Sequence, residues 1–349
     1  MTTITTAVDT RPRLAPWVPW SILGLSLAAG IGITATAGSL NLLGGTALGV
    51  VLYMVAITAV SWVREGERWA RDRLASALVV SAFALVMVPL VSLVWMVVSE
   101  GMKRFGPQFL YTNMVGVYGE SELGGAYHAI VGTLLITGLA SLISIPIGIF
   151  TAIYLVEYGG GRIARYVTFL VDVMTGIPSI VAGLFAFSLF FTVAGPGYKS
   201  GLIGAVALAV LMTPVVVRSV EEMLKLVPNE LREAAYALGV PKWLTIVKVV
   251  LRTAVAGITT GVMIAIARVI GETAPLLITV GIVANTNFNV FDGRMATLPV
   301  FVFRQYAQGG QAASERAWAG ALTLILIVML LNLVARLISR WFAPRGMAH

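Results

Sequence analysis

The sequence predicts an all-α polytopic membrane protein of about eight transmembrane helices, and three observations predict it. Of its 349 residues, 58% are hydrophobic and only 11% charged, against about 45–50% and about 25% in soluble domains. Eight stretches reach the roughly 20 apolar residues that a bilayer-spanning helix needs. Lys and Arg are shared unevenly between the two alternating sets of connections, as membrane orientation requires. So apolar a chain is not intrinsically disordered. Zero cysteines exclude a disulfide scaffold, thiolate catalysis and cysteine metal sites. Two histidines, one of them the C-terminal residue, leave no histidine-rich metal site.

The spans run, in order, over Trp17–Thr36, Leu42–Trp62, Leu74–Val98, His128–Glu157, Val167–Ala194, Gly201–Val217, Thr253–Gly281 and Ala317–Phe342. The fourth, fifth and seventh are long and carry Pro or Gly, so kinks are expected there. Glycine, at 36 residues, suits close helix–helix packing in lipid. Residues 1–73 read as a two-helix extension with a charged cytoplasmic linker, Ser61–Arg73. Residues 74–342 form the core and 343–349 a cytoplasmic tail. Arg11 and Arg13 followed by an apolar run and Ala35-Thr36-Ala37 imitate a cleavable signal, but the run exceeds the usual 7–15 residues.

One set of connections holds 17 of the 24 Lys and Arg residues: Arg11, Arg13, Arg64, Arg68, Arg71, Arg73, Arg162, Arg165, Arg218, Lys225, Arg232, Lys242, Lys248, Arg252, Arg336, Arg340 and Arg345. The other set holds Lys103, Arg104, Lys199, Arg294, Arg304 and Arg316. By the positive-inside rule both termini are expected in the cytoplasm of a multi-pass protein of the cytoplasmic (inner) membrane. The net charge of +8 is thus an orientation signal rather than a nucleic-acid footprint. Trp17, Trp20, Trp62, Trp95 and Trp341 near span ends read as interfacial anchors, and His128 as a residue of the external rim.

The cytoplasmic segment Val220–Leu251 is patterned. Asn229 is expected to cap a helix from Pro228 through Leu238, and Glu230 suits its positive end. Gly239 supplies the stop, Pro241 forbids simple continuation, and a second helix, Lys242–Leu251, leads back to the membrane. Leu231, Ala234, Ala235 and Leu238 share one face. Such a helix lies on lipid or in a protein cleft; two central alanines bury little area and favour the cleft.

In the seventh span Arg268 falls near the centre, and Glu272 follows at i+4 on the same helical face. A charge at mid-bilayer costs about 2.5–3.5 kcal/mol and faces a pathway or the bundle interior. Pro275 cannot donate to the Gly271 carbonyl, and Thr273 adds a hydroxyl, so Gly271–Pro275 reads as a helix break beside a polar patch. On composition alone, an ion pair that merely locks helices explains Arg268 and Glu272 equally well. Asp172 is expected to pair with Arg165 or Arg218, Pro178 and Pro214 to make kinks, and Thr175, Ser179 and Thr213 to bond back to helix carbonyls.

Two motifs resemble a known family. Glu233-Ala234-Ala235, three residues, then Gly239 is similar to the EAA loop of ABC importer permeases, although Arg252 stands where that motif carries Pro. Ala267-Arg268-Val269-Ile270-Gly271-Glu272-Thr273-Ala274-Pro275-Leu276-Leu277 resembles the PstA-type permease subunits of phosphate ABC importers more than their PstC-type sister subunits. Ala129–Leu134 and Gly176–Phe185 agree with it, and the resemblance covers about residues 124–340, with the coupling loop at 228–252.

The resemblance implies a six-helix type I importer core that moves inorganic phosphate. The implied partners are an ATP-binding subunit dimer, a second, PstC-type permease subunit, an extracytoplasmic phosphate-binding protein and membrane lipid, with no nucleic acid. It also implies ATPase coupling through Glu233, Ala234, Ala235 and Gly239, and substrate translocation past Arg268, Glu272 and Thr273. The chain has no Gly-x-x-x-x-Gly-Lys-Ser/Thr motif and no nucleophile–base set, so it reads as a transport subunit, not an enzyme. No cofactor or metal is expected in it; ATP is used by the partner. The alternatives are a permease for another oxyanion, such as sulfate or molybdate, and an ATP-independent channel or secondary transporter.

Overall fold

The computed structural model describes residues 13–36, 41–118 and 121–342, with side chains to Leu337 at the C-terminal end. Arg11, Ala37, Glu120, Arg340, Trp341, Arg345 and the 343–349 tail lie outside the described residues or side chains. Seven described helices are long and apolar enough to cross a membrane, or eight if one bent pair is a single span. The chain divides into two units, Met1–Trp95 and Met96–His349.

The first unit contains α1 (Val18–Thr36), α2 (Leu42–Arg64) and most of α3 (Glu67–Gly101). Asn41 starts α2 by accepting from Gly44 N at 3.0 Å, as an N-cap should. α1 and α2 meet along glycines: a Cβ on Gly30 would lie 2.4 Å from the Gly45 carbonyl, and one on Gly49 2.7 Å from Leu27 Cα. Gly45-x-x-x-Gly49 therefore lets two backbones touch, which is how helices associate where hydrocarbon offers no hydrophobic gain.

The corner between α2 and α3, within the expected charged linker, is a closed polar knot. Glu65 is 1% exposed. It accepts from Arg73 Nε and Nη2 at 2.8 and 2.9 Å, from Ser61 Oγ at 2.6 Å and from Leu14 N at 2.7 Å. Arg73, Ser61 and the Leu14 amide hold its carboxyl down to about 2, against the opposing push of burial.

In the second unit, α8 (Gly201–Lys225) is the central helix. Ala205, Leu208, Met212, Val216, Val220 and Leu224 recur at helical spacing and are buried. α5 (Tyr127–Ile153) packs on one side of α8 and α11 (Leu251–Val269) on another. Small residues set the distance here too: a Cβ on Gly148 would lie 2.6 Å from Val216, and one on Gly261 2.6 Å from Ser219. α4 (Pro107–Tyr111), α13 (Leu298–Gln308) and α14 (Gln311–Phe342) complete the unit with the broken elements below.

Two expected spans are broken. The fifth becomes α6 (Arg162–Thr175) and α7 (Ser179–Ala194), bent by 109°. Pro178 lacks an N–H and excludes the helical region at Ile177, so Gly176–Pro178 turns a corner rather than a kink. The seventh becomes α11 and α12 (Ala274–Thr279), separated at Ile270–Thr273. Pro214, in contrast, stays inside unbroken α8. α8 also runs past Val217 to Lys225, beyond the expected end of the sixth span.

Other expectations resolve by packing. Asp172 pairs with Arg218, which also reaches Glu221 at 2.8 Å; Glu221 in turn takes Lys225 at 2.7 Å. Thr175 and Thr213 bond back to Val171 O and Ala209 O at 2.9 and 2.8 Å. Trp17, Trp20, Trp62 and Trp95 are exposed. His128, in the first turn of α5, is buried rather than open at an interface, edge-on to Phe301 at 5.7 Å. Arg316 is likewise no loop charge, but is fully buried and donates to Gln305 Oε1 at 2.8 Å and Ser121 O at 2.6 Å.

Candidate functional site

At the end of α8 the chain turns at Val227 and Pro228 into α9 (Asn229–Ala237). Pro228, not Asn229, occupies the capping position, and Asn229 is the first helical residue. Gly239 ends the helix as its sequence required: its φ is +76°. Gly239 N donates to Tyr236 O at 2.9 Å and Val240 N to Ala235 O at 3.1 Å, the paired bonds of a left-handed helix stop. α10 (Lys242–Thr245) and a π-helical turn, Ile246–Val250, then run straight into α11. Arg252 in place of Pro therefore leaves this helix unbroken at its start.

α9 is pinned on one side and open on the other. Ala235 is buried, whereas Glu233, Ala234 and Gly239 are exposed. Leu238 is 84% exposed, and Leu226, Leu231, Tyr236 and Trp243 add further exposed apolar area nearby. The pinning comes from Arg232, which the sequence shows only as one of the basic residues of the cytoplasmic set. It donates to Glu157 Oε1 through Nη2 at 2.9 Å and Nε at 3.1 Å, to Val227 O at 2.6 Å and to Leu224 O at 3.0 Å. Both partners are sunk in the protein, Arg232 at 13% and Glu157 at 5% exposure. Glu157 lies in a π-helical turn, Tyr154–Tyr158, that continues α5. Lys242 lies 4.5 Å over the Tyr158 ring and bonds to Glu157 O. The surface helix is thus tied to the foot of a membrane helix.

Arg268 is exposed in the last turn of α11 rather than central in a continuous span, and Glu272 is half-buried within the break. The break moves the two off a shared helical face; among the described residues neither forms an ion pair or a side-chain hydrogen bond. Gly271 is exposed, with nothing within 4 Å of where a side chain would begin. Thr273 precedes α12 with no side-chain cap bond, and Pro275 fits the first turn of α12, where its missing N–H costs nothing. The result is an exposed guanidinium at the end of α11 and, within the break, a half-buried carboxylate and hydroxyl.

Glycines bring the separate sequence motifs together around this segment. A Cβ on Gly183 of α7 would lie 2.6 Å from Pro275 Cα, and one on Gly132 of α5 would lie 2.0 Å from Ala296 O. A Cβ on Gly204 of α8 would meet Val280 at 2.4 Å and Leu276 at 3.1 Å. Thr133 adds a bond from Leu298 N at 2.8 Å. These contacts seat residues 270–298 against three helices. A groove of about 310 Å³ nearby is lined by Leu134, Leu135, Gly138, Leu139, Leu142, Val290 and Phe291, with no polar side chain for an oxyanion.

Helices long and apolar enough to cross a membrane, interrupted by one short helix tied to their foot, are the plan of a transporter's membrane subunit. The chain belongs to the family of binding-protein-dependent transport system inner membrane components, whose model matches residues 144–346. It is 46% identical over 280 residues to the phosphate transport system permease protein PstA 1 of Mycobacterium tuberculosis, covering 80% of this chain and 91% of that protein. It is 40% identical over 279 residues to the PstA protein of Yersinia pestis, covering 79% and 92%. The fold is that of type I ABC permeases. A chain of a bacterial alginate ABC transporter, crystallised with an alginate-bound periplasmic protein, superposes with a TM-score of 0.56 over 79% of this chain and 97% of its own, at 16% identity.

Proposed function

We propose that this chain is the permease subunit through which an ATP-driven importer moves inorganic phosphate across the cytoplasmic membrane. The observation that carries the reading is Arg268, an exposed guanidinium without a counter-ion at a helix break, in a chain 46% identical to a phosphate permease. A charge placed on the flank of a membrane helix faces water or a neighbouring subunit rather than hydrocarbon. A passage between this chain and a second, PstC-type permease meets that demand. ATP is bound and hydrolysed by a separate ATPase dimer gripping the open side of α9 at Glu233, Ala234 and Gly239, while Ala235, of the same motif, is buried and seats the helix on its own chain. A phosphate-binding protein serves the opposite face, and both termini are cytoplasmic.

Arg268 suits the substrate because its planar fork matches two phosphate oxygens at once. With no ion pair to break, its donors stand ready. Glu272 accepts a hydrogen bond from a protonated phosphate oxygen and repels an oxyanion that has no proton to give, which selects phosphate over sulfate. Thr273 offers a further hydroxyl. Arg268→Lys keeps the charge but loses the fork. In the reconstituted transporter it should reduce phosphate uptake at least tenfold while ATPase association persists. Unchanged uptake sinks the assignment. Deleting Glu233–Gly239 should abolish ATP-dependent uptake with membrane insertion retained; an ATP-independent channel would keep transporting.

A further inference from the structure

We infer that Lys199 and Arg294 form an anion-capture pair at the end of the permease opposite the coupling helix, taking phosphate before it reaches Arg268. The inference rests on the phosphate reading above. Lys199 immediately precedes α8 with Ser200 between, and Arg294 lies in the segment after α12; both motifs read only as connection charges in the sequence. The fold brings their side chains to one point. From the position a Cβ on Gly281 would take, Arg294 Cδ is 3.1 Å away and Lys199 Cδ 3.2 Å, so the two stems run within about 6 Å of each other.

The scaffold under the pair is built rather than loose. Tyr198 Oη donates to Phe291 O, Leu202 N to Val290 O at 2.8 Å, and Met295 N to Val280 O at 3.2 Å. Asn287 Nδ2 clamps the turn by donating to Asp292 O and Arg294 O at 2.9 and 3.2 Å. Gly281 is buried at φ +78°, where a side chain would be strained and would displace both cations. The two neighbouring stems carry like charges, and among the described residues no carboxylate pairs with either. Neither forms an ion pair or side-chain hydrogen bond, and Asp292, exposed two residues before Arg294, reaches neither. A dianion supplies the charge and acceptors that both lack.

The location gives the pair its use. Gly281 follows the C-terminal end of α12, and Thr273 stands at the other end of that helix, whose six residues span about 9 Å. The pair and the Arg268–Thr273 segment thus mark two ends of one short helix, a near and a far station for an anion. α8 separates this end from the coupling helix by about 37 Å of helix length.

The test uses the complete transporter in proteoliposomes, with ATP inside and phosphate-loaded binding protein outside. Lys199→Gln with Arg294→Gln should lower maximal uptake about tenfold and flatten its salt dependence, since focused positive charge raises local anion concentration at least that much. The binding-protein concentration giving half-maximal rate should not move. Lys199→Arg with Arg294→Lys should transport as the parent does. Where the double variant does not assemble, Arg294→Gln alone, at an exposed position, gives the same readout at smaller amplitude. An unchanged rate, or equal loss in the neutral and charge-keeping variants, overturns the pair. So does a shift in the half-maximal binding-protein concentration at constant maximal rate, which makes these residues a docking patch for an acidic protein face. A parent transporter that moves no phosphate counts against the phosphate reading itself.

Discussion

Replacing Glu157 with glutamine should loosen α9 without unfolding the permease. α9 has nine residues, too few to persist alone in water, so its order depends on what holds it. Arg232 gives Glu157 Oε1 two charge-assisted bonds, at 2.9 and 3.1 Å. Breaking a buried pair by removing one partner costs about 3–5 kcal/mol. Here the loss is smaller, because Arg232 keeps the Val227 and Leu224 carbonyls and glutamine retains one acceptor. About 2 kcal/mol remains, which is roughly a 30-fold rise in local opening. Hydrogen exchange over residues 229–240 should report that rise, while the buried face of α8 stays protected. ATP hydrolysis should persist, with fewer phosphates imported per ATP. Protection of α9 unchanged within twofold, or equal loss across α8, would refute the strut. Arg232→Lys should resemble Glu157→Gln, since an ammonium cannot serve the carboxylate and both carbonyls in one fork.

Other expectations follow from close contacts and from charge. Gly183→Ala places a Cβ 2.6 Å from Pro275 Cα, so it should cost about 1–3 kcal/mol and abolish uptake, while Gly138→Ala, which meets nothing within 4 Å, should be neutral; thermal unfolding in detergent separates the two. Gly239→Ala forces an L-residue into φ +76° at about 1 kcal/mol, and should raise exchange at Val240 and reduce uptake. Glu65 is held near 2 when folded, from an ordinary 4.5. A depressed acid contributes stability that is complete above 4.5 and lost as pH falls towards 2. The residue 13–95 region should therefore loosen across that window, and Glu65→Gln should remove the pH dependence at the cost of about 3 kcal/mol.

Much of this fold was written in periodicity and punctuation. Apolar runs announced α1, α2, α3, α5, α8 and α14 because a membrane helix satisfies its own backbone and needs only length. Gly239 announced the end of α9 because an L-residue resists the left-handed stop there. Prolines were harder to read. Pro178 and Pro275 mark corners while Pro214 sits in a continuous helix, and only neighbours tell them apart: Gly176 and Gly271 weaken the chain beside the first two. The Arg268–Glu272 pairing failed for the same reason, since i+4 spacing assumes a helix that the break removes. Glu157–Arg232 and Arg316–Gln305 were illegible because nothing local distinguishes them. Their partners meet through tertiary packing, 75 residues apart in the first case. The glycines of Ala129–Leu134 and Gly176–Phe185 were visible as motifs, but their purpose, backbone contact with residues 270–298, required the fold.

The open guanidinium of Arg268 also bears on biosynthesis. A solitary copy in lipid presents that charge to acyl chains at about 2.5–3.5 kcal/mol, and a neighbour offering water or counter-charge removes the penalty. Pairing is then favoured by roughly two orders of magnitude before any other contact forms. If the proposed second permease supplies that neighbour, the residue that would greet the anion also disfavours an orphan subunit in the bilayer and tends to keep the two copy numbers matched.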